Sequence, residues 1–375
     1  MSNPLLRLRE LGQSVWLDYI RRDLFEGELD RLIEEDGLAG MTSNPTIFDG
    51  AISDTDLYDD VIRDCGADME PDEIFEKLAV ADVQEAADHF RPLFDETEGR
   101  DGFVSIEVRP ALAYDTEGTI EEVRRLWTSC ARPNVMVKIP GTREGLPAIR
   151  QCLAEGININ ITLLFSVDRY LEVMEAWFDA FRARVDRGEP VARLASVASF
   201  FVSRVDTKVD GRLEKLLEKT DDEGERERIH GLLGQIGIAN ARIAYGRFEE
   251  RFRSADFAAL EEAGARLQRP LWASTSTKDP DYPDVYYIDN LIAPDTVNTV
   301  PPDTLDAFRD HGDPEVRIYD DRDETHRMME VLDDLGIDFG EVTRELEEEG
   351  VDKFAKSYDD LLQTIREERA RVTAT

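Results

Sequence analysis

Positive charge is what this 375-residue chain has least of. Lys and Arg total 45 against 82 Asp and Glu, a net charge of −37, and only eight of the cations are lysines. Such a surface repels nucleic acid and anionic lipid, so any phosphate site must be a local concentration of cations. The acids run along the whole chain rather than forming a tail. This spread matches the solvated acidic surface of a protein adapted to high salt, where screening relieves self-repulsion. Cysteine is also scarce: Cys65, Cys130 and Cys152 are odd in number and form no CxxC pair. That excludes a disulfide framework and points to reduced thiols in a cytoplasmic protein. No stretch approaches the roughly 20 apolar residues of a membrane span, and the N-terminus lacks a signal-peptide core and cleavage site. Secretion and membrane insertion are not expected.

The four histidines, His89, His230, His311 and His326, show neither metal-ligand spacing nor a paired nucleophile. Acidic clusters such as Asp54-Thr55-Asp56 and Asp279-Pro280-Asp281 do not continue into a calcium loop. The glycines of Gly231 to Gly237 sit inside a helical pattern rather than after a strand, so helix packing is expected there, not a nucleotide loop. No metal and no cofactor are expected.

With 41% hydrophobic and 34% charged residues the chain has the composition of a folded protein. Short β-like runs alternate with charged periodic segments throughout, the pattern of an α/β fold with parallel strands. Candidate strands are Val15 to Asp18, Gly40 to Asn44, Phe103 to Val108, Asn134 to Ile139, Ile157 to Leu163, Leu194 to Val202, Pro270 to Ser274 and Val297 to Val300. Amphipathic helices are expected over Ile20 to Glu35, Ile120 to Cys130, Ser166 to Asp186 and, unbroken, Glu225 to Phe252. Eight strands with intervening helices predict a (β/α)8 TIM barrel. No repeat or Pro/Gly-rich linker divides the chain, so residues 1–375 are read as one domain. It carries an acidic helical insert at about 51–102 and a C-terminal helical extension at about 303–375, whose final residues from Arg369 are expected to fray.

Read with period two, three successive strands split alike. Val104, Ile106 and Val108 oppose Ser105 and Glu107; Val135, Val137 and Ile139 oppose Met136 and Lys138; Ile157, Ile159 and Ile161 oppose Asn158, Asn160 and Thr162. The β-branched faces suit packing on outer helices, which turns the polar faces into the barrel. Glu107, Lys138, Asn160 and Thr162 fall at or near strand C-terminal ends, where barrel active sites are assembled. Lysine is almost never fully buried unless paired. Desolvation lowers its pKa, and a depression of roughly three pH units, about 4 kcal/mol, makes it a neutral nucleophile at neutral pH. A direct ion pair with Glu107 would oppose that shift, whereas a water-separated geometry would preserve it. An amine nucleophile in a barrel suggests Schiff-base chemistry on a carbonyl substrate. Asp18 at the end of the first strand, and Thr42 and Asn44 at the end of the second, are candidate partners.

Two segments are specific enough to name a family. Gly40-Met41-Thr42-Ser43-Asn44-Pro45-Thr46-Ile47-Phe48 and Val135-Met136-Val137-Lys138-Ile139-Pro140-Gly141-Thr142 resemble the signatures of transaldolase. The resemblance extends over Trp16-Leu17-Asp18, Ser105-Ile106-Glu107, Asn158 to Phe165, Trp272 to Lys278 and Asp295 to Thr299. It implies transfer of a dihydroxyacetone unit within the pentose phosphate pathway. The donor would be sedoheptulose 7-phosphate and the acceptor glyceraldehyde 3-phosphate, with fructose 6-phosphate and erythrose 4-phosphate as products. By position, Lys138 resembles the Schiff-base lysine and Asp18 the acid/base at the C4 hydroxyl. Glu107 and Thr162 resemble the pair that holds a catalytic water. Thr42, Asn44, Asn160 and Ser199 match the substrate-binding end, with Phe201 a shielding aromatic and Arg204 a cation on the phosphate side.

One departure concerns the phosphate. Shorter family members carry an arginine in the loop after the seventh strand, where this chain reads Ser274-Thr275-Ser276-Thr277-Lys278; Ser274 and Lys278 are the candidates here. The expected partners are small sugar phosphates, with no nucleic acid and no membrane, and the state is monomer or homodimer. Two other readings stay open: a class I aldolase that releases its three-carbon product, and a catalytically silent sugar-phosphate-binding protein.

Overall fold

All eight expected strands form, and they close on one another. In the computed structural model, which describes residues 3–66 and 68–374, the strands are β1 (Gln13–Asp18), β2 (Gly40–Thr42), β3 (Phe103–Glu107), β4 (Val135–Pro140), β5 (Ile159–Leu164), β6 (Ser196–Phe201), β7 (Arg269–Ala273) and β8 (Thr296–Val300). Each pairs in parallel with the next, and β8 returns to β1. This is a (β/α)8 barrel with additional helices. The ladder sets Glu107 beside Lys138 and Lys138 beside Asn160, so three residues separated in sequence meet in one row.

The alternation of side chains explains the two cores. Val104, Ile106, Val135, Val137, Ile159 and Ile161 pack outward with the surrounding helices. Trp16, Phe103, Met136, Val197, Leu271 and Val297 belong to a second buried cluster. They sit on the inward faces below the polar row and form an apolar plug. Each such side chain contributes about 2 kcal/mol by leaving water, and together they close one end of the barrel. Gly40 serves this plug: a Cβ there would lie 2.6 Å from the Trp16 ring and 2.7 Å from the Phe103 carbonyl.

Several sequence expectations change. The stretch from Glu225 to Phe252 is not one helix but two, Glu223–His230 and Ile236–Phe252. Gly234 lies between them with φ +69°, a left-handed backbone that breaks the helix where packing alone was expected to explain the glycines. The segment after β1 begins with a 3₁₀ turn, Arg22–Glu26, before its helix, Glu28–Glu35. β5 carries an irregularity between Ile161 and Leu164, with Leu163 at φ +59°, so its tip departs from simple alternation.

Between β2 and β3 the chain is helical, dominated by Pro71–Glu96. The C-terminal extension is helical too, but its end does not fray: Phe339–Thr373 is one 35-residue helix with Val372 buried, and Thr375 lies outside the described residues. At 1.5 Å per residue it is about 50 Å long, enough to cross the barrel mouth. Lys208 and Arg212 hold its first half through Glu345 and Glu341 at 2.8 and 2.9 Å. Thr46 reaches Ser357 at 3.0 Å and Thr364 reaches Asp49 at 2.6 Å further on. Val342, Leu346, Val351 and Leu361 provide its buried stripe. Among the described residues no helix is long and apolar enough to cross a membrane.

Candidate active site

The polar row opens into a cavity of about 440 Å³ at the C-terminal ends of the strands. Lys138 stands on β4 at its edge, 6% exposed. Its Nζ donates to the Ser43 carbonyl at 3.2 Å and lies 3.3 Å from Oε2 of Glu107. The ion pair is direct, and the water-separated geometry that was its alternative is not formed. Burial nevertheless pushes the Glu107 carboxyl above the usual carboxylate range, with Lys138 opposing. A carboxylate that readily accepts a proton beside a lysine can take the ammonium proton when a carbonyl arrives. An amine next to such a proton acceptor is an arrangement suited to nucleophilic chemistry.

Thr162, within the irregular stretch of β5, lines the cavity, and its buried Oγ1 has no hydrogen-bond partner. A buried hydroxyl without a partner costs about 1–3 kcal/mol, and a water or ligand oxygen would satisfy it. Asp18 ends β1 on the opposite wall. Thr42 donates to its Oδ1 at 2.7 Å and also contacts Thr299 at 2.7 Å, which fixes the carboxylate between β2 and β8.

Asn44 caps the helix Pro45–Ser53 by accepting from the Ile47 amide at 3.1 Å. Its oxygen is thereby committed, and Nδ2 is the part left for a ligand. Asn160 is engaged on both sides: Nδ2 donates to Ser105 at 3.1 Å, and Oδ1 accepts from Ser199 at 2.7 Å. Neither Asn160 nor Glu107 lines the cavity itself. Each lies behind a residue that does, Ser199 and Lys138 respectively.

At the outer end, Phe201 packs on Phe165 with ring centroids 5.2 Å apart, and the Arg204 guanidinium lies 4.9 Å from the Phe201 ring. Burial lowers the Arg204 pKa, with Asp18 and Glu107 opposing. Ser274 takes φ +56° at the start of the loop after β7 and shares a 2.9 Å hydroxyl contact with Ser203; Lys278 donates to Ser276 at 3.1 Å. Thr275 in the same loop also lines the cavity, with its hydroxyl donating to Asn298 Oδ1 at 2.8 Å.

Three contributors escape a reading of strands alone. Lys353, Phe354 and Ser357, from the C-terminal helix, line the same cavity. Phe354 places its ring 5.9 Å from Lys138 Nζ and 5.9 Å from Arg204. The ring is half-buried over the site. The Ser43 carbonyl also escaped notice, since a backbone acceptor leaves no mark in residue type.

A closed parallel barrel with its polar residues gathered at one mouth places the protein among the (β/α)8-barrel enzymes. Residues 15–365 match the family model described as transaldolase/fructose-6-phosphate aldolase. The chain is 48% identical to the transaldolase of Acidothermus cellulolyticus, with 99% of each chain covered. It is 46% identical to that of Thermobifida fusca over 100% of both. It is 44% identical to that of Trichodesmium erythraeum over 100% of this chain and 99% of the relative. The chain belongs to the transaldolase family.

Proposed function

We propose that this chain transfers a dihydroxyacetone unit from sedoheptulose 7-phosphate to glyceraldehyde 3-phosphate, giving fructose 6-phosphate and erythrose 4-phosphate, with Lys138 as the covalent nucleophile. The observation that carries the reading is the buried Lys138–Glu107 pair beside the unpartnered Thr162 hydroxyl. Glu107 takes the ammonium proton, and the freed amine adds to the C2 carbonyl of the donor. Glu107 then returns a proton, through a water held with Thr162, to the departing C2 oxygen. Water leaves and an iminium forms. Asp18 removes the C4 hydroxyl proton as the C3–C4 bond breaks, and the bonding electrons move into the iminium to give an enamine. The aldose product departs, the acceptor aldehyde enters, and the same steps run in reverse. Both carboxylates change protonation during the cycle, and burial raises the pKa of Glu107.

Asn44 and Ser199, the latter held by Asn160, orient the hydroxyls of the bound three-carbon unit. Thr42 fixes Asp18. Phe201 shields the unit, and Arg204, Ser274 and Lys278 face the phosphate. The chain works as one domain, with the helices before β3 and after β8 built onto the barrel. Three unbonded cysteines, two of them buried, support a reducing cytoplasmic setting.

Borohydride reduction in the presence of fructose 6-phosphate tests the reading. A covalent mass increase on the peptide containing Lys138 is expected, together with transfer to glyceraldehyde 3-phosphate. Accumulation of free dihydroxyacetone from donor alone would identify an aldolase instead. No adduct and no turnover would identify a silent binding protein.

A further inference from the structure

Resting on the sugar-phosphate reading above, we propose that Lys353 of the C-terminal helix binds the substrate phosphate and sets the preference for phosphorylated over unphosphorylated aldehydes. Cations are scarce in this chain, yet Arg204, Lys278 and Lys353 line one cavity. Among the described residues no carboxylate forms an ion pair with any of the three. Lys208 and Lys356, by contrast, are paired with Glu345 and Asp360 at 2.8 and 2.5 Å. The Lys353 pKa is lowered first by the positive charge of Arg204, then by burial and by Lys278. Three like charges facing one space repel one another, and a dianion between them removes the penalty. Asp18, bonded to Thr42 on β1, and Glu107 favour the Arg204 charge, but among the described residues no carboxylate pairs with Lys353, which meets only the positive charges of Arg204 and Lys278.

The placement of Lys353 is built rather than incidental. Upstream, the helix is clasped by Lys208 and Arg212, which lie on the same helix as Arg204, Ser203–Leu217. Downstream, Ser357 is tied to Thr46, two residues beyond Asn44. The Cα of Gly350 comes so close to β5 that a Cβ there would stand 3.0 Å from Leu163. These anchors flank Lys353 on both sides and hold it over the mouth. They add a cation from the far end of the chain to Arg204 and to Lys278 of the loop after β7.

The test compares kcat/KM for glyceraldehyde 3-phosphate with that for unphosphorylated glyceraldehyde, fructose 6-phosphate being the common donor. Lys353→Ala is expected to lower this ratio about tenfold or more, the effect of one lost charge-assisted contact, and to weaken competitive inhibition by inorganic phosphate. Lys353→Arg should restore most of the ratio. Lys356→Ala, on the same helix but paired outward with Asp360, controls for net charge and helix docking. An unchanged ratio in Lys353→Ala, or an equal fall in Lys356→Ala, overturns the assignment. Wild-type protein that turns over neither acceptor overturns the reaction on which the assignment rests, a separate and distinguishable failure.

Discussion

Lys138 Nζ and Glu107 Oε2 stand 3.3 Å apart on adjacent strands, both side chains less than a tenth exposed. Each is costly to bury alone, and together they form the pair that the proposed chemistry cycles. Replacing Lys138 with Ala removes the nucleophile. Turnover should fall by about three orders of magnitude or more, while circular dichroism and the melting transition stay native-like. Near-native turnover in this variant would contradict a covalent role.

Glu107→Gln keeps the shape of the side chain but cannot accept a proton. A drop in kcat of about 10²–10⁴-fold is expected. Burial raises the Glu107 pKa, so in the wild type the acid limb of the kcat profile should lie above the ordinary carboxylate range, where Glu107 becomes protonated and stops accepting. That limb should be missing from the variant's residual activity. Its persistence at the same pH would assign it to another group.

The Phe354 ring centroid lies 5.9 Å from Nζ of Lys138, the proposed nucleophile. Opening that side with Phe354→Ala should admit water to the bound three-carbon unit and increase free dihydroxyacetone relative to transferred product. The ratio is read by assaying both products from one reaction. An unchanged ratio would show that the ring has no part in retaining the intermediate.

Asp206 is buried with its Oδ1 on the Gly237 amide at 2.5 Å, and burial pushes its pKa up to about 7. A raised carboxyl pKa means that the folded chain holds a proton which the unfolded chain, near 3.9, releases. This contribution to stability is complete below about pH 4 and is lost as pH rises through 7. Asp206→Asn retains an acceptor for Gly237 and removes the titration. The variant should melt at a higher temperature relative to wild type at pH 8 than at pH 5. Parallel pH profiles of the two melting temperatures would rule out this role for Asp206.

The net charge of −37 predicts self-repulsion that salt relieves. Surface ion pairs such as Arg31–Glu28 at 2.6 Å pull the other way, since screening weakens them, but each is worth only about 0–1 kcal/mol. The melting temperature should rise from low to molar potassium chloride. A flat or falling curve would mean that the pairs, not the net charge, govern the response.

Period-two alternation made the inward faces of β3, β4 and β5 legible, because a strand puts every second side chain on one side whatever surrounds it. Lys138, Glu107 and Thr162 could therefore be placed before any coordinates. Helix boundaries were legible where a cap supplied a local signal, as Ser166 does by accepting from Arg169 at 3.0 Å. The break at Gly234 was less visible, since a glycine within an apolar periodic stretch is compatible with either a helix or a turn.

The sequence by itself determined the barrel, the polar row and the candidate nucleophile, for these follow from local periodicity and from the cost of burying charge. Only the tertiary structure decided that Lys138 touches Glu107 directly, that Asn160 sits behind Ser199 and accepts a hydrogen bond from its hydroxyl, and that Lys353 and Phe354 come from the far end of the chain to the mouth. Those relationships depend on strand register and on where a long helix docks. Both are set by packing between segments hundreds of residues apart, as Thr46 and Ser357 are, and no local pattern encodes them.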